Sequence, residues 1–214
     1  MLLLHRGERY NANFYYHAGM DLDNSFLVKD GGRHTLLVSK MNQAYAEEKF
    51  KGEVIAYAKD PIKHIEKLAR GKKIEMDFRG ISASLYQKIS SFSKPKDVSD
   101  QLARLRIRKS AGELLLIRRA THISKDLLSL AKGAFGKTEQ EFASTLYLKT
   151  YSWGFRPSFR PIVSTGANTA FPHSEPTAEK ISGFCLVHYG VSANRYYADL
   201  TRVFFEKKDR KKDQ

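Results

Sequence analysis

The stretch CLVHYGVSANRYYADLTRVFF, residues 185–205, has the pattern of a β-hairpin and carries two side chains that could bind a metal ion. His188 and Asp199 are eleven positions apart in it. If His188 faces Asp199 directly, the two-residue turn falls at Ala193-Asn194, and asparagine tolerates the left-handed backbone that such turns need. Opposed side chains in a hairpin lie roughly 5 Å apart. The stretch therefore predicts that one metal ion, or two adjacent ones, could contact both residues.

The two candidates differ in how easily a structural role explains them. From spacing alone, His188 is either a core histidine with a hydrogen-bonding partner or a ligand. Asp199 lies within YYADLTRVFF, where a carboxylate is costly to bury without a cation or donors. Arg202 could pair with Asp199 as an ion-pair partner, but it lies three positions further on and therefore points to the opposite face of a regular strand. Asp199 is therefore the strongest functional candidate in the chain.

Composition indicates a folded, cytoplasmic protein with two domains of modest size. The chain has 214 residues, of which 42% are hydrophobic and 28% are charged. The leucines of the N-terminal MLLLHRGERY are too few for a signal peptide or a membrane span, so no membrane partner is expected. Cys185 is the single cysteine, which excludes an intrachain disulfide, and its apolar neighbours predict a buried thiol.

A formal charge of +14 raises the question of a nucleic-acid partner. The basic residues are scattered, with local densities at 104–109 and at 206–214, where acidic residues are interleaved. Neither segment has the aromatic residues of a single-strand binder or a helix-turn-helix pattern. Nucleic acid is therefore not an expected partner.

Residues 1–102 are predicted to form an α/β domain. The run SFLVKDGGRHTLLVS, residues 25–39, places two β-type segments around an Asp-Gly-Gly turn. The run DPIKHIEKLARG, residues 60–71, begins with a capping aspartate followed by proline and stops at glycine, which predicts a helix. No glycine-rich phosphate loop is present, so nucleotide binding has no support.

Residues 103–214 are predicted to form a second domain, after a polar linker within 93–110. Ser110 with Glu113, and Thr138 with Glu141, have the spacing of capping boxes and predict two helices. Beyond these helices the pattern changes to short β-type segments that end in the hairpin.

The segment SFRPIVSTGANTAFPHSEPTAEKISGFCLVHYGVSANRYYADLTRVFF, residues 158–205, resembles the pita-bread metallopeptidases, in particular the Xaa-Pro aminopeptidase and prolidase group. In that family S-F-x-x-I-V-x-x-G-x-N-x-A-x-P-H precedes a D-x-G…D-x-T-R hairpin. Residues 106–120 and 138–142 are similar to the helical stretches that open the family's catalytic domain, and residues 6–28 are similar to its N-terminal domain, especially in archaeal-type members. The resemblance implies a creatinase/prolidase-type α/β N-terminal domain followed by half of an α+β pita-bread catalytic domain.

The resemblance also implies roles for four residues. Asp199 corresponds to the carboxylate that bridges two divalent metal ions, which are manganese, cobalt or zinc in the family. His188 occupies the first ligand position, where the family has aspartate; an imidazole offers one lone pair and no charge, so the metal ion there should bind more weakly. His173 corresponds to the histidine that donates a hydrogen bond to the bound substrate, and Thr201 to a hydroxyl that steadies the ligands.

The implied activity is hydrolysis of the Xaa-Pro bond at peptide N-termini or in dipeptides, with a peptide substrate whose second residue is proline. The family's remaining ligands, a histidine and two glutamates, lie in a second structural half that is not found before Gln214. We therefore expect a fragment, a split gene product completed by another chain or a homodimer partner, or a module without catalysis. The alternative function is a non-catalytic, peptidase-like module that binds peptides or proteins, which His188 favours.

Overall fold

The computed structural model describes residues 1–207, and these form two compact units that divide after Arg108. The basic segment 206–214 lies outside the described residues from position 208 onward. Among the described helices, none combines the length and the apolar character that a bilayer crossing requires.

The first unit is a mixed six-stranded sheet with short helices. Its strands are β1 (Leu2–Arg6), β2 (Ser25–Asp30), β3 (Arg33–Ser39), β4 (Glu53–Tyr57), β5 (Glu75–Met76) and β6 (Lys96–Asp97). Its α-helices are α1 (Ala12–Ala18), α2 (Gln43–Lys49), α3 (Ile62–Ala69), α4 (Ala83–Ser90) and α5 (Ser99–Leu105). The strand order is β4-β3-β2-β1-β5-β6; β2 runs antiparallel to both of its neighbours, and the other pairs are parallel.

Both faces of this sheet carry an apolar core, because successive side chains of a strand point to opposite sides. In β1, Leu3 packs in one cluster with Ile65 of α3 and Ile89 of α4. Its neighbour Leu4 packs in another cluster with Phe14 of α1. The unit therefore has helices packed on both faces of its sheet, and it has the α/β class that residues 1–102 predict.

The two local predictions for this unit are confirmed. Asp30 pairs with Arg33 across a two-residue turn in which Gly31 has a φ of 57°, a conformation that glycine adopts without strain. The predicted helix forms as α3, although it begins at Ile62 with Pro61 as its N-cap residue, one position later than predicted. An Asp60 carboxylate oxygen accepts a hydrogen bond of 2.9 Å from the Ile62 amide.

The prediction of a linker within 93–110 is wrong for half of its length, because this stretch contains β6 and α5. Val98 is the N-cap residue of α5, and Leu102 lies four positions later on the same face of the helix. Both side chains are buried in the core of the first unit. Burial of these two side chains outweighs the polar composition of the segment. The predicted boundary after residue 102 thus lies inside α5, and the division into domains 1–102 and 103–214 stays a prediction.

The second unit contains two long helices and two small sheets. Its helices are α6 (Ala111–Ser129) and α7 (Glu139–Ser152). Its strands are β7 (Arg156–Pro157), β8 (Ile162–Ser164), β9 (Phe184–Tyr189), β10 (Val191–Ala193), β11 (Tyr196–Tyr197) and β12 (Leu200–Phe205). The sheets have the orders β11-β10-β7 and β12-β9-β8, with antiparallel pairing throughout.

Both predicted capping boxes are confirmed at the starts of α6 and α7. The helices pack their apolar faces on the strands in one cluster that includes Leu127, Phe142, Val187 and Tyr189. The Tyr189 hydroxyl lies 2.8 Å from the Thr150 hydroxyl of α7, so this buried ring also has a polar partner. This core supports β9, the strand that carries His188.

Candidate functional site

The hairpin forms, but its register differs from the predicted one. His188 of β9 pairs with Thr201 of β12, and the turn lies at Asn194-Arg195 instead of Ala193-Asn194. Asn194 and Arg195 have φ values of 46° and 64°, as a two-residue turn with both central residues left-handed requires. The prediction that Asp199 directly faces His188 is therefore wrong. Asn194 is the first residue of the turn and not the second, so the partner of each residue in β9 lies two positions later in the sequence than predicted.

Asp199 reaches His188 as a diagonal neighbour, because it lies two positions before Thr201, the residue opposite His188, and so on the same face of the hairpin. The Ala198 amide donates to the Val191 carbonyl at 3.0 Å, and Ala198 and Asp199 lie between β11 and β12. A Cβ atom on Gly190 would lie 1.9 Å from the Ala198 carbonyl oxygen, so only glycine allows this close approach. The register is the same on both sides of this point, since Ala193 pairs with Tyr196 and Tyr189 with Leu200, so no residue is inserted here.

The His188 Nε2 atom lies 2.7 Å from the Asp199 Oδ1 atom. The His188 side chain is 27% exposed and packs against the Phe159 ring at a centroid distance of 4.7 Å. The Asp199 side chain is 71% exposed, so the expected cost of burying this carboxylate is not incurred. The pair thus presents one imidazole nitrogen and an accessible carboxylate, the donor types that zinc, cobalt and manganese accept.

Thr201 lies directly opposite His188, so the two side chains share one face of the hairpin. His188 also pairs with Ile162 of β8, which lies on the other side of β9. The strand that carries His188 is therefore the central strand of its sheet. The predicted trio of His188, Asp199 and Thr201 is therefore brought together by the hairpin.

His173 lies elsewhere, on an exposed turn that follows a short 3-10 helix, Gly166–Ala170. In the part of the chain that the structure describes, no hydrogen bond or ion pair joins His173 to His188 or Asp199. Within residues 1–207 there is also no group of three or more histidine, cysteine, aspartate or glutamate residues arranged to hold a metal ion. The next residue, Ser174, is buried, and its hydroxyl lies 2.6 Å from that of Ser164.

Sequence reasoning missed Glu139, which is fully buried at the first position of α7. Its carboxylate accepts hydrogen bonds from Thr165, Asn168 and Thr177, on both sides of the His173 turn. Its sequence neighbours form a capping box, and acidic residues in the first turn of a helix are usually exposed. The local sequence therefore gives no sign that Glu139 is buried. Its burial depends on the distant loop that covers it.

Cys185 is buried, as its apolar neighbours predict. Burial, with a smaller contribution from the Glu139 carboxylate, raises the pKa of the Cys185 thiol to about 12. The thiol is therefore protonated at neutral pH, which is its less nucleophilic form.

Comparison with known proteins shows what the chain is similar to. The sequence model of metallopeptidase family M24 matches residues 115–214, so this part of the chain is similar to that family. The chain is 27% identical over 199 residues to the Xaa-Pro dipeptidase of Pyrococcus furiosus, covering 90% of this chain and 57% of the relative. It is 28% identical over 184 residues to an uncharacterized peptidase of Methanocaldococcus jannaschii, covering 81% of this chain and 49% of the relative. The chain thus spans about half the length of the curated relatives it matches.

Solved structures confirm the predicted fold. The chain superposes on an X-Pro aminopeptidase from Thermotoga maritima with a TM-score of 0.87 and 24% identity, over 95% of this chain and 62% of that chain. It superposes on the prolidase from Pyrococcus furiosus with a TM-score of 0.82 and 24% identity, over 97% and 62% of the two chains. The fold is therefore a prolidase-type α/β N-terminal part followed by half of a pita-bread domain.

Proposed function

We propose that this chain is part of a metal-dependent exopeptidase that hydrolyses the Xaa-Pro bond at peptide N-termini or in dipeptides. The observation that carries the proposal is the 2.7 Å contact between His188 Nε2 and Asp199 Oδ1, within the segment that matches metallopeptidase family M24. In this assignment His188 and Asp199 hold a divalent metal ion, and Thr201 steadies them. Manganese, cobalt and zinc suit this nitrogen and oxygen donor set.

Each residue has a distinct task in the proposed reaction. Asp199 supplies negative charge at an accessible position, and His188 is oriented by the Phe159 ring against which it packs. His173 is exposed, so its imidazole can donate a hydrogen bond to a substrate carbonyl oxygen. A divalent metal ion, when bound, polarises the scissile carbonyl and lowers the pKa of water. Two protein ligands do not complete such a site, so the proposal assigns the other ligands to the second structural half of the catalytic domain, supplied by further sequence or by another chain.

A second candidate function is peptide or protein binding without hydrolysis. It is favoured by the same contact, because the imidazole nitrogen of His188 already has a carboxylate partner and so needs no metal ion. In this case the exposed His173 turn would recognise peptide segments.

Metal titration separates the two functions. We expect Co²⁺ or Zn²⁺ binding by the intact chain to weaken at least about tenfold, or 1.4 kcal/mol, in His188→Ala and in Asp199→Asn. The matched control is His122→Ala, because His122 also contacts an aspartate, Asp126 at 3.6 Å, on the exposed side of α6. This control should change affinity less than about twofold, since an exposed pair at this distance is a poor chelate.

Hydrolysis is then measured on the chain co-expressed with the second half of the Pyrococcus furiosus dipeptidase, using Ala-Pro as substrate. Asp199→Asn should abolish metal-dependent turnover, and His188→Asp should increase metal occupancy and turnover, because it adds charge and a second donor oxygen. If neither substitution changes metal affinity while the fold is retained, the hairpin is not a metal site and the binding function is the better account.

A further inference from the structure

The segment that carries His173 is anchored at both ends by one buried carboxylate. Glu139 Oε1 accepts from the Thr165 amide at 2.7 Å. Glu139 Oε2 accepts from the Asn168 side-chain amide at 2.7 Å, and from the Thr177 amide and hydroxyl at 2.8 and 2.7 Å. Thr165 directly follows β8, and Thr177 precedes β9, so the His173 turn lies between the two anchored ends.

The chemistry of this anchor requires a side chain that only accepts hydrogen bonds. All four groups that point at Glu139 are donors, and an ionised carboxylate is a side chain that only accepts. The residue is fully buried, but its charge receives four hydrogen bonds and lies at the N-terminus of α7, where the helix dipole favours a negative charge. A glutamine of the same size would turn an NH₂ group toward at least one of these donors.

Two further contacts hold the segment between the anchors. The buried hydroxyls of Ser164 and Ser174 are 2.6 Å apart, immediately beside His173. The Asn168 side-chain amide, held by Glu139, also donates to the Glu175 carbonyl at 3.2 Å. The backbone around His173 is therefore held on both sides while its imidazole stays exposed.

We propose that Glu139 is a positioning residue, which holds the 165–177 segment so that the His173 imidazole is presented in one place. The presentation of the imidazole follows from the anchor itself, whereas its use on a peptide rests on the proposed function. The carboxylate acts through Thr165 and Thr177 and does not contact the substrate.

The test compares Glu139→Gln with Glu141→Gln in the intact chain. Glu141 is the matched control, since it lies on the same turn of α7, accepts from the Thr138 amide at 2.7 Å, and has no bond to the His173 segment. In Glu139→Gln, amide hydrogen exchange at Thr165 and Thr177 should accelerate at least about tenfold, and the His173 ring NMR signals should move toward those of a free histidine. Glu141→Gln should leave both readouts at their wild-type values.

Two milder variants keep the test decisive if Glu139→Gln does not fold. Glu139→Asp retains an acceptor-only side chain and should restore part of the protection, which a simple volume effect would not do. Thr177→Val removes one donor and should accelerate exchange at position 177 alone. If exchange in all three variants matches that of Glu141→Gln, or if exchange accelerates while the His173 signals stay unchanged, Glu139 does not position His173.

Binding of the tripeptide Ala-Pro-Ala separates this proposal from the proposed function. Glu139→Gln should weaken binding by the same factor as His173→Ala, and the double variant should be no weaker than either. If the wild-type chain, co-expressed with the second half of the Pyrococcus furiosus dipeptidase, does not bind the tripeptide, the proposed function fails, while the exchange and NMR results still decide the role of Glu139. Equal binding by wild type and Glu139→Gln, beside a loss in His173→Ala, would overturn the positioning role.

Discussion

Replacing Gly190 by alanine should destabilise the second unit and separate Asp199 from His188. The new Cβ atom would lie 1.9 Å from the Ala198 carbonyl oxygen and 2.6 Å from its carbon, both of which are backbone atoms. A Cβ atom tolerates no contact under 3.0 Å, so the backbone of Ala198 must retreat by about 1 Å. The hydrogen bond from the Ala198 amide to the Val191 carbonyl opposes that movement. Overpacking of this kind costs about 3 kcal/mol.

Urea unfolding followed by tryptophan fluorescence measures this cost, because Trp153 is the single tryptophan and lies in the second unit. With a slope of about 2 kcal/mol per molar urea, a loss of about 3 kcal/mol lowers the midpoint by about 1.5 M. The control is Gly133→Ala, since nothing lies within 4 Å of a Cβ atom there. Its effect should stay within about 0.5 kcal/mol. Equal midpoints for the two variants would refute the close approach at Gly190.

Two further outcomes follow from the titration of buried groups. Because the pKa of the Cys185 thiol is raised to about 12, this thiol should react with an aromatic disulfide on the order of a thousandfold more slowly in the folded chain than in the urea-unfolded chain. Comparable rates in the two states would show an accessible thiolate in the folded chain. Burial, followed by Arg6 for His5 and by Lys29 for His17, lowers both histidine pKa values from 6.5 to about 4. The unfolded chain therefore binds more protons between these pH values, and the free energy of unfolding should decrease as pH falls from 6.5 to 4. The double variant His5→Gln/His17→Gln should show a shallower decrease in urea titrations, and an unchanged slope would contradict the assignment.

Local signals in the sequence predict much of the secondary structure correctly. The capping boxes at Ser110 and Thr138 mark the starts of α6 and α7, because the bonds that satisfy a helix N-terminus join residues only three positions apart. The turn after Asp30 is likewise local, since Gly31 accepts a backbone conformation that other residues avoid. The family motif around residues 158–205 predicts the fold as well, and the superposed structures confirm it.

The arrangement of the candidate site is decided only by tertiary structure. The hairpin register depends on which residues occupy the turn, and that choice is not visible in the strand pattern itself. Asp199 is exposed because it lies beside β12, an edge strand whose residues are mostly exposed. Aromatic neighbours in the sequence therefore do not report whether a residue beside a sheet edge is buried.

Glu139 is the opposite case, a residue that the local sequence predicts to be exposed and the structure buries. Its neighbours in the sequence predict an exposed residue at the start of a helix, yet it is fully buried with partners that lie 26 to 38 positions away. Val98 and Leu102 are also buried within a stretch whose composition is that of a linker. Sequence alone determines the elements whose hydrogen bonds close over a few residues. Which polar groups become buried, and which residue faces which, follows from contacts between segments that are distant along the chain.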